Sequence, residues 1–78
     1  MLIRTVTCFQ VGEIVAFDAL EIILHDASWV ADTGRFTQAL RSGVLNEVEP
    51  FADGLCSVGR GAVVDIANWK HPLPTEPK

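Results

Sequence analysis

The chain has 78 residues and a mass of 8.5 kDa; 49% of its residues are hydrophobic, 21% are charged, and its formal net charge is −4. Since a domain usually takes about 100–200 residues, this length allows one small domain. We place that domain at residues 1–70 and a proline-rich tail at residues 71–78. Six dispersed cations against ten carboxylates exclude a coat for a nucleic-acid polymer. The short apolar runs exclude a membrane span, and the missing secretion signal predicts a cytoplasmic protein.

The first third of the chain predicts a three-stranded antiparallel meander. Leu2–Val11 is rich in Thr, Val and Ile and is apolar on both faces, as expected for a strand that is central or covered by another chain. Gly12 permits a turn. The pattern then predicts a strand at Glu13–Phe17, a tight connection at Asp18-Ala19 and a strand at Leu20–His25.

A short helix is predicted after the meander. Asp26–Thr33 is the transition into it, and Asp32 or Thr33 can serve as the N-cap because their side-chain oxygens accept from free backbone amides. Gly43 fits the left-handed position that follows a helix. The helical spacing gives one apolar stripe, formed by Phe36, Ala39 and Leu40.

The second half of the chain predicts short extended segments. Val44–Phe51 is a loop or an edge strand, because Pro50 cannot donate a backbone hydrogen bond. Strands are predicted at Leu55–Val58 and Ala62–Ala67, with a break at Gly59-Arg60-Gly61. The fold class is therefore α+β: a small curved antiparallel sheet or an SH3-like barrel, with a three-strand meander, one short helix and two or three short strands. The proline-rich C-terminal tail is extended, and it either packs on a surface or stays free.

The helix entrance is the first candidate binding site. Trp29 offers a stacking face, Arg35 a bidentate fork, and Thr33 with the Gly34 amide can support an anion at the helix N-terminus. This arrangement predicts a pocket for a phosphate, a nucleotide or a carboxylate. The alternative is that Trp29 belongs to the core, that Asp32 or Thr33 only caps the helix, and that Arg35 is solvated.

Two further segments are candidates. Gly59-Arg60-Gly61 can turn backbone amides toward an anion beside Arg60, or it can be an ordinary turn between strands. Trp69 can stack on a ligand, or it can hold the C-terminal tail against its own or a neighbouring subunit.

Catalysis and metal binding find little support in the sequence. No serine has the surroundings of a nucleophile, and His25 and Asp26, as neighbours on a strand, should point to opposite faces. Glu47 and Glu49 share a face if extended, but a solvated edge is the simpler interpretation. Cys8 and Cys56 form no metal-binding pair and are interpreted as reduced, buried apolar residues, with a disulfide or a nucleophile as the alternatives. We therefore predict a protein that is not an enzyme and needs no cofactor or metal.

Several segments together resemble a family of small phage and prophage accessory proteins, over most of the chain. These segments are Leu24–Trp29, Thr33–Phe36, Ala39-Leu40, Gly43-Val44, Glu47–Glu49 and Val58–Val64, ahead of Trp69. The family supplies no catalytic residues to carry over. The resemblance implies a virion or assembly component or an inhibitor of host defence. Some such inhibitors are compact oligomers that hold cyclic nucleotide or ADP-ribose signals between subunits.

The functional prediction joins this resemblance to the residues. A thin core favours a homo-oligomer, and the dispersed arginines and tryptophans suit a small anionic ligand. We predict a non-enzymatic, homo-oligomeric, phage-type binding module in the host cytoplasm that sequesters an anionic immune signal of the cyclic nucleotide or ADP-ribose type. Its ligand-binding residues are Trp29, Thr33, Gly34, Arg35, Arg60 and Trp69. The alternative is a protein that binds and inhibits a host protein, or a minor virion or assembly component.

Overall fold

The computed structural model describes residues 1–78 and contains six β-strands in one sheet. All paired strands are antiparallel; the order is β4-β3-β2-β1-β6, and β5 also pairs with β3. The α+β class is therefore confirmed, as an open sheet with one α-helix. The elements are β1 (Leu2–Thr5), β2 (Phe9–Phe17), β3 (Glu21–Asp32), α1 (Phe36–Ser42), β4 (Glu47–Pro50), β5 (Cys56–Gly59), a 3-10 helix (Arg60–Ala62) and β6 (Val63–Ala67).

The first hairpin turns earlier than the sequence predicts. β1 ends at Thr5, whose backbone N–H and hydroxyl both donate to the carbonyl of Cys8, over 2.8 and 2.9 Å. Gly12 therefore lies inside β2, and the prediction of a turn there is wrong. A Cβ atom at Gly12 would lie 3.1 Å from the carbonyl oxygen of His25 and 3.2 Å from Cα of Ala27. These contacts are tighter than ordinary van der Waals contacts, so glycine fits this position because β3 approaches β2 closely.

β3 is longer than predicted and contains a bulge. It runs for twelve residues, through the segment expected to lead into the helix. Asp26 has a φ of 50°, and the pairing register with β2 shifts between Val11 and Glu13. Such a bulge inserts one residue and re-aims the side chains beside it. As a result the Asp26 carboxylate lies 3.4 Å from Nδ1 of His25, so the prediction that these two side chains point apart is wrong.

Two apolar clusters occupy the two faces of the sheet. Leu2 enters one and Ile3 the other, which explains why β1 is apolar on both faces: it lies between β2 and β6, as predicted for a central strand. The buried members of the helix-side cluster are Leu2, Val11, Val30, Ala39, Leu45 and Val48. Those of the opposite-face cluster are Ile3, Ile22, Leu24, Ala27 and Val58.

The predicted end of α1 is confirmed and its predicted start is not. Gly43 has a φ of 74° and donates its N–H to the carbonyl of Ala39 over 2.8 Å, which is the left-handed cap. The N-cap is Arg35, without a side-chain cap hydrogen bond. Asp32 does not cap α1, because its carboxylate accepts the N–H of Gly34, over 2.8 Å, and Gly34 precedes the N-cap residue.

The C-terminal segment lies against the helix side of the domain. A ring nitrogen of His71 is 2.7 Å from the carbonyl oxygen of Leu40. Leu73 packs against the helix-side cluster. Lys78 exchanges two backbone hydrogen bonds with Val48, of 3.0 and 2.9 Å, so the segment covers the outer edge of β4.

The predicted connection at Asp18-Ala19 is present and is organised by one carboxylate. Oδ1 of Asp18 accepts the N–H groups of Leu20 and Glu21, over 2.7 and 2.9 Å. These backbone hydrogen bonds favour the ionised form and lower the pKa of Asp18. Because the folded pKa lies below the unfolded one, Asp18 stabilises the fold above the unfolded pKa of about 3.9. The stabilisation is lost as the pH falls through the folded pKa.

We therefore expect Asp18→Ala to lower Tm at pH 7 and to lose that effect in acid. Thermal unfolding followed by circular dichroism, at a series of pH values, measures the difference from the unmodified chain. Asp18→Asn is the matched control, since it keeps an acceptor oxygen without the titratable charge. A Tm difference for Asp18→Ala that stays the same from neutral pH to below about pH 3 would contradict this role.

Candidate functional site

The six predicted ligand-binding residues do not converge on one pocket within the chain. Arg35 follows the C-terminal end of β3. Arg60 lies at the other end of that strand, where its N–H donates to the carbonyl of Leu20 over 2.9 Å. Of the six residues, only Arg60 lines a cavity. A ligand that contacts both arginines would therefore have to lie between two copies of the chain.

The helix entrance has one exposed aromatic and one unpaired cation. Trp29 is 42% exposed, so its interpretation as a core residue is wrong. Arg35 forms no ion pair. The Gly34 amide, expected to support an anion, is already bound by the Asp32 carboxylate. The buried Thr33 donates its hydroxyl to the carbonyl of Gly34 over 2.8 Å, so this loop mainly satisfies its own polar groups.

Trp69 contacts the tail of its own chain. Its ring packs against the helix-side cluster and meets the ring of His71 edge-on, with centroids 5.1 Å apart. Its indole N–H donates to the carbonyl of Pro72 over 3.5 Å. This placement is the one expected of a tryptophan that holds the tail.

Arg60 lies beside an apolar groove that the sequence analysis did not identify. The groove has a volume of about 250 Å³. The Arg60 guanidinium donates through Nη1 to the carbonyl of Asp18 over 2.6 Å, which fixes the side chain across the β2–β3 turn. We define the apolar groove by its lining residues, Ile14, Phe17, Ile22, Arg60 and Ile66.

Large apolar side chains of the β2–β3 hairpin and of β6 are exposed, and two of them, Phe17 and Ile66, line this groove. Phe17 is 72% exposed and Leu20 is 80% exposed. Val15, Val64 and Ile66 are also at least four-tenths exposed. Apolar side chains that share one exposed groove mark an interaction site more often than isolated exposed apolar residues do. The sequence contains a signal for this exposed surface. The predicted strand at Glu13–Phe17, together with Leu20, has more apolar side chains than one buried face of a sheet requires.

The exposure follows from the shortness of β1. β1 pairs with β2 only as far as Val11, and the Met1–Gly12 hydrogen bonds end the contact. Residues 13–17 of β2 therefore have β3 on one side and no strand on the other. β6 pairs with β1 alone. Unpaired strand edges are ready templates for another chain.

A second feature that the sequence analysis missed is the environment of Cys8. Its sulfur lies 3.5 Å from the Thr5 hydroxyl and 3.3 Å from Nε2 of Gln10. The hydrogen bond from Thr5 is the main cause that lowers the pKa of the Cys8 thiol, against the opposing effect of burial. Burial raises the pKa of Cys56. Both cysteines are free and only partly buried, so the prediction of buried cysteines is wrong.

Clusters of metal ligands and helices that could cross a membrane are both absent from the structure. No three histidine, cysteine or carboxylate side chains lie together as metal ligands would. None of the helices has the length and apolar composition that a bilayer crossing requires. Comparison with protein-family models, with curated proteins and with solved structures finds no match to this chain.

Proposed function

We propose that the protein is a non-enzymatic, homo-oligomeric binding module whose copies meet through the apolar groove. The observation that carries this proposal is the exposure of Phe17 and Leu20 next to a groove lined by isoleucines. Burial of apolar surface contributes about 25 cal/mol for each Å² removed from water. A small chain with a thin core gains from burying such side chains against a copy of itself.

This surface can pair with the same surface of a second copy. Ile14, Ile22 and Ile66 line its recess together with Phe17, which is 72% exposed, and Leu20 is 80% exposed in the β2–β3 turn. In a two-fold contact the projecting side chains of each copy enter the recess of the other. A standard interface takes about 800 Å² from each partner. The whole chain exposes 4869 Å², so the contact uses a modest part of its surface.

Arg60 connects this contact to an anionic ligand. Only its Nη1 has a partner within the chain, so further N–H donors remain for an anion. A contact through the groove brings two Arg60 side chains into one interface, and desolvated guanidinium groups need carboxylate or phosphate partners. Carboxylates from the β2–β3 turn of the other copy are one source. A small anion of the cyclic nucleotide or ADP-ribose type is the other, and its sequestration in the host cytoplasm is the finer form of our proposal.

Native mass spectrometry of the purified protein tests the proposal. We expect a species of at least twice the 8.5 kDa chain mass, and the same spectra report any small anion retained between copies. Phe17→Ser combined with Leu20→Ser should shift the population to monomer, because it removes the side chains that fill the recess. Val6→Ser is the matched control: Val6 is also largely exposed but lies in the β1–β2 turn. Monomers of the unmodified chain at its highest soluble concentration would refute the homo-oligomer.

Contact with a different protein is the second candidate, as an inhibitor of a host protein or a minor assembly component of phage type. The observation that favours it is the combination of apolar side chains with a single cation at the groove. That combination suits an apolar segment that carries a carboxylate. A monomeric chain with an intact fold would leave this candidate in place.

A further inference from the structure

A second surface lies on the other side of the molecule, where residues 71–78 occupy the edge of β4. The N–H and the carbonyl of Val48 point away from β3 and both pair with Lys78, over 3.0 and 2.9 Å. This reciprocal pair is the repeating unit of an antiparallel ladder. The contact is therefore a strand addition, in which an extended segment pairs with an open sheet edge.

Two further contacts anchor the segment. His71 reaches the carbonyl of Leu40 in the last turn of α1, and Leu73 packs on the helix-side cluster. Gly43 makes room for His71, since a Cβ atom there would lie 2.5 Å from Cγ of the His71 ring. We call the receiving surface the tail groove, defined by Leu40, Gly43, Leu45 and Val48.

Between its anchors the tail forms no backbone hydrogen bond with the sheet. Pro72, Pro74 and Pro77 have no backbone N–H and cannot join a ladder. Clefts of about 590 and 320 Å³ lie along the segment, and both are lined by Leu73, Pro74 and Thr75. With these few contacts and two clefts beside it, we expect the segment to open at a smaller cost than global unfolding.

An open tail leaves an unpaired strand edge and an empty leucine site on its own copy. Every copy also carries the one segment that fits this surface. Exchange of an identical element between copies is a low-cost route to association, because the contacts made are the same. Competition from the chain's own tail, held at high effective concentration by a short connection, keeps the exchange reversible.

We propose that the tail groove is a peptide-binding site for an extended segment with a leucine between two prolines, and that the tail of a second copy occupies it in exchange for the chain's own. This inference goes beyond the proposed function, because it concerns a different surface and a different contact. It stands even if the apolar groove binds nothing.

Mixing two complementary variants tests the exchange. Both chains carry Phe17→Ser and Leu20→Ser, so that association through the apolar groove does not contribute. One also carries Gly43→Asn, which fills the space of His71 while asparagine tolerates the left-handed backbone. The other also carries Leu73→Ser, which weakens the tail and leaves its groove intact. Each variant alone should be monomeric, and the mixture should give a heterodimer of one copy of each in native mass spectra.

Gly54→Asn in place of Gly43→Asn is the matched control. Gly54 has a φ of 76° and meets no atom closer than 3.6 Å, so this substitution places the same residue in the same backbone region without blocking the groove. That variant should keep its own tail docked and form several-fold less heterodimer. A mixture of the Gly43→Asn and Leu73→Ser chains that remains monomeric, while both keep the circular dichroism spectrum of the folded chain, would overturn the proposal.

A peptide experiment covers the case in which Gly43→Asn does not fold. The synthetic peptide of residues 71–78 is added to the full-length Leu73→Ser chain, and the indole N–H resonance of Trp69 is followed by NMR. We expect a saturable shift with this peptide and at least ten-fold weaker binding of a peptide that carries Leu73→Ser. No shift with either peptide would refute the groove as a site for a segment supplied by another copy.

Discussion

Replacing Leu24 by alanine is expected to lower the free energy of unfolding by about 3 kcal/mol. Leu24 is fully buried in the opposite-face cluster, where β3 pairs with Ile14 of β2 on one side and with Cys56 of β5 on the other. The truncation loses the transfer free energy of the buried carbons and leaves a cavity between three strands. A domain of this length has a total stability of about 4–12 kcal/mol. Urea titration followed by circular dichroism should therefore show a midpoint lowered by about 2–3 M, or an unfolded chain.

Leu20→Ala is the matched control for this prediction. It removes the same atoms from a side chain that is 80% exposed, in the turn that precedes β3. Its effect should stay within about 0.5 kcal/mol. Both variants are compared at low micromolar concentration, because association would otherwise add to the apparent stability. Equal losses for the two leucines would contradict the assignment of Leu24 to the core.

The elements that sequence analysis predicted well are those fixed by local chemistry. Asp18 organises the β2–β3 turn through hydrogen bonds to amides two and three residues away. Gly43 ends α1 because its left-handed backbone is unfavourable for most other residues. The break at Gly59-Arg60-Gly61 became a 3-10 helix between two short strands. In each case the cause lies within a few residues, so a single sequence contains it.

The errors occur where glycine or aspartate serves a contact across strands. Gly12 permits a turn and equally permits close approach of another backbone, and the sequence does not say which use applies. The approach comes from the Asp26 bulge, more than ten residues away. Asp26 itself gave no signal for a bulge, because aspartate is also common in turns and at helix starts. The use of Gly12 and the bulge at Asp26 both depend on the pairing register of β2 and β3, and register is a property of the whole sheet.

The candidate site shows the same division. The sequence shows the chemistry of residues such as Arg35 and Trp29, and chemistry does not say whether side chains meet. The groove beside Arg60 exists because β1 stops short and leaves Phe17 uncovered. That outcome depends on strand lengths, which sequence patterns fix poorly. Arg60 is the one predicted ligand-binding residue that lines a cavity. Its position is easier to predict because the glycine-rich break that contains it depends on local sequence.

Replacing Gly12 by valine is expected to lower the free energy of unfolding by about 2–3 kcal/mol, through overpacking rather than loss of contacts. A Cβ atom at this position would meet Cβ of Leu24 and the carbonyl oxygen of His25 at 3.1 Å each, and Cα of Ala27 at 3.2 Å. The His25 oxygen and the Ala27 Cα belong to the backbone of the bulge, so they can move away from a new side chain only if the bulge itself moves. It is held on its far side, where the Ala27 N–H donates to the carbonyl of Gly54 over 2.9 Å. The same urea titration measures the loss.

Gly59→Val separates this close approach from the general cost of replacing a glycine in a strand. A Cβ atom at Gly59 would meet nothing within 4 Å, and its φ of −65° is accessible to valine, which favours extended backbone. We expect a change of less than about 0.5 kcal/mol there. Because a valine at Gly59 has room and a valine at Gly12 does not, a difference between the two variants reports the proximity of the bulge to β2. If Gly12→Val were as stable as Gly59→Val, β2 and β3 would not approach each other as closely as the bulge requires.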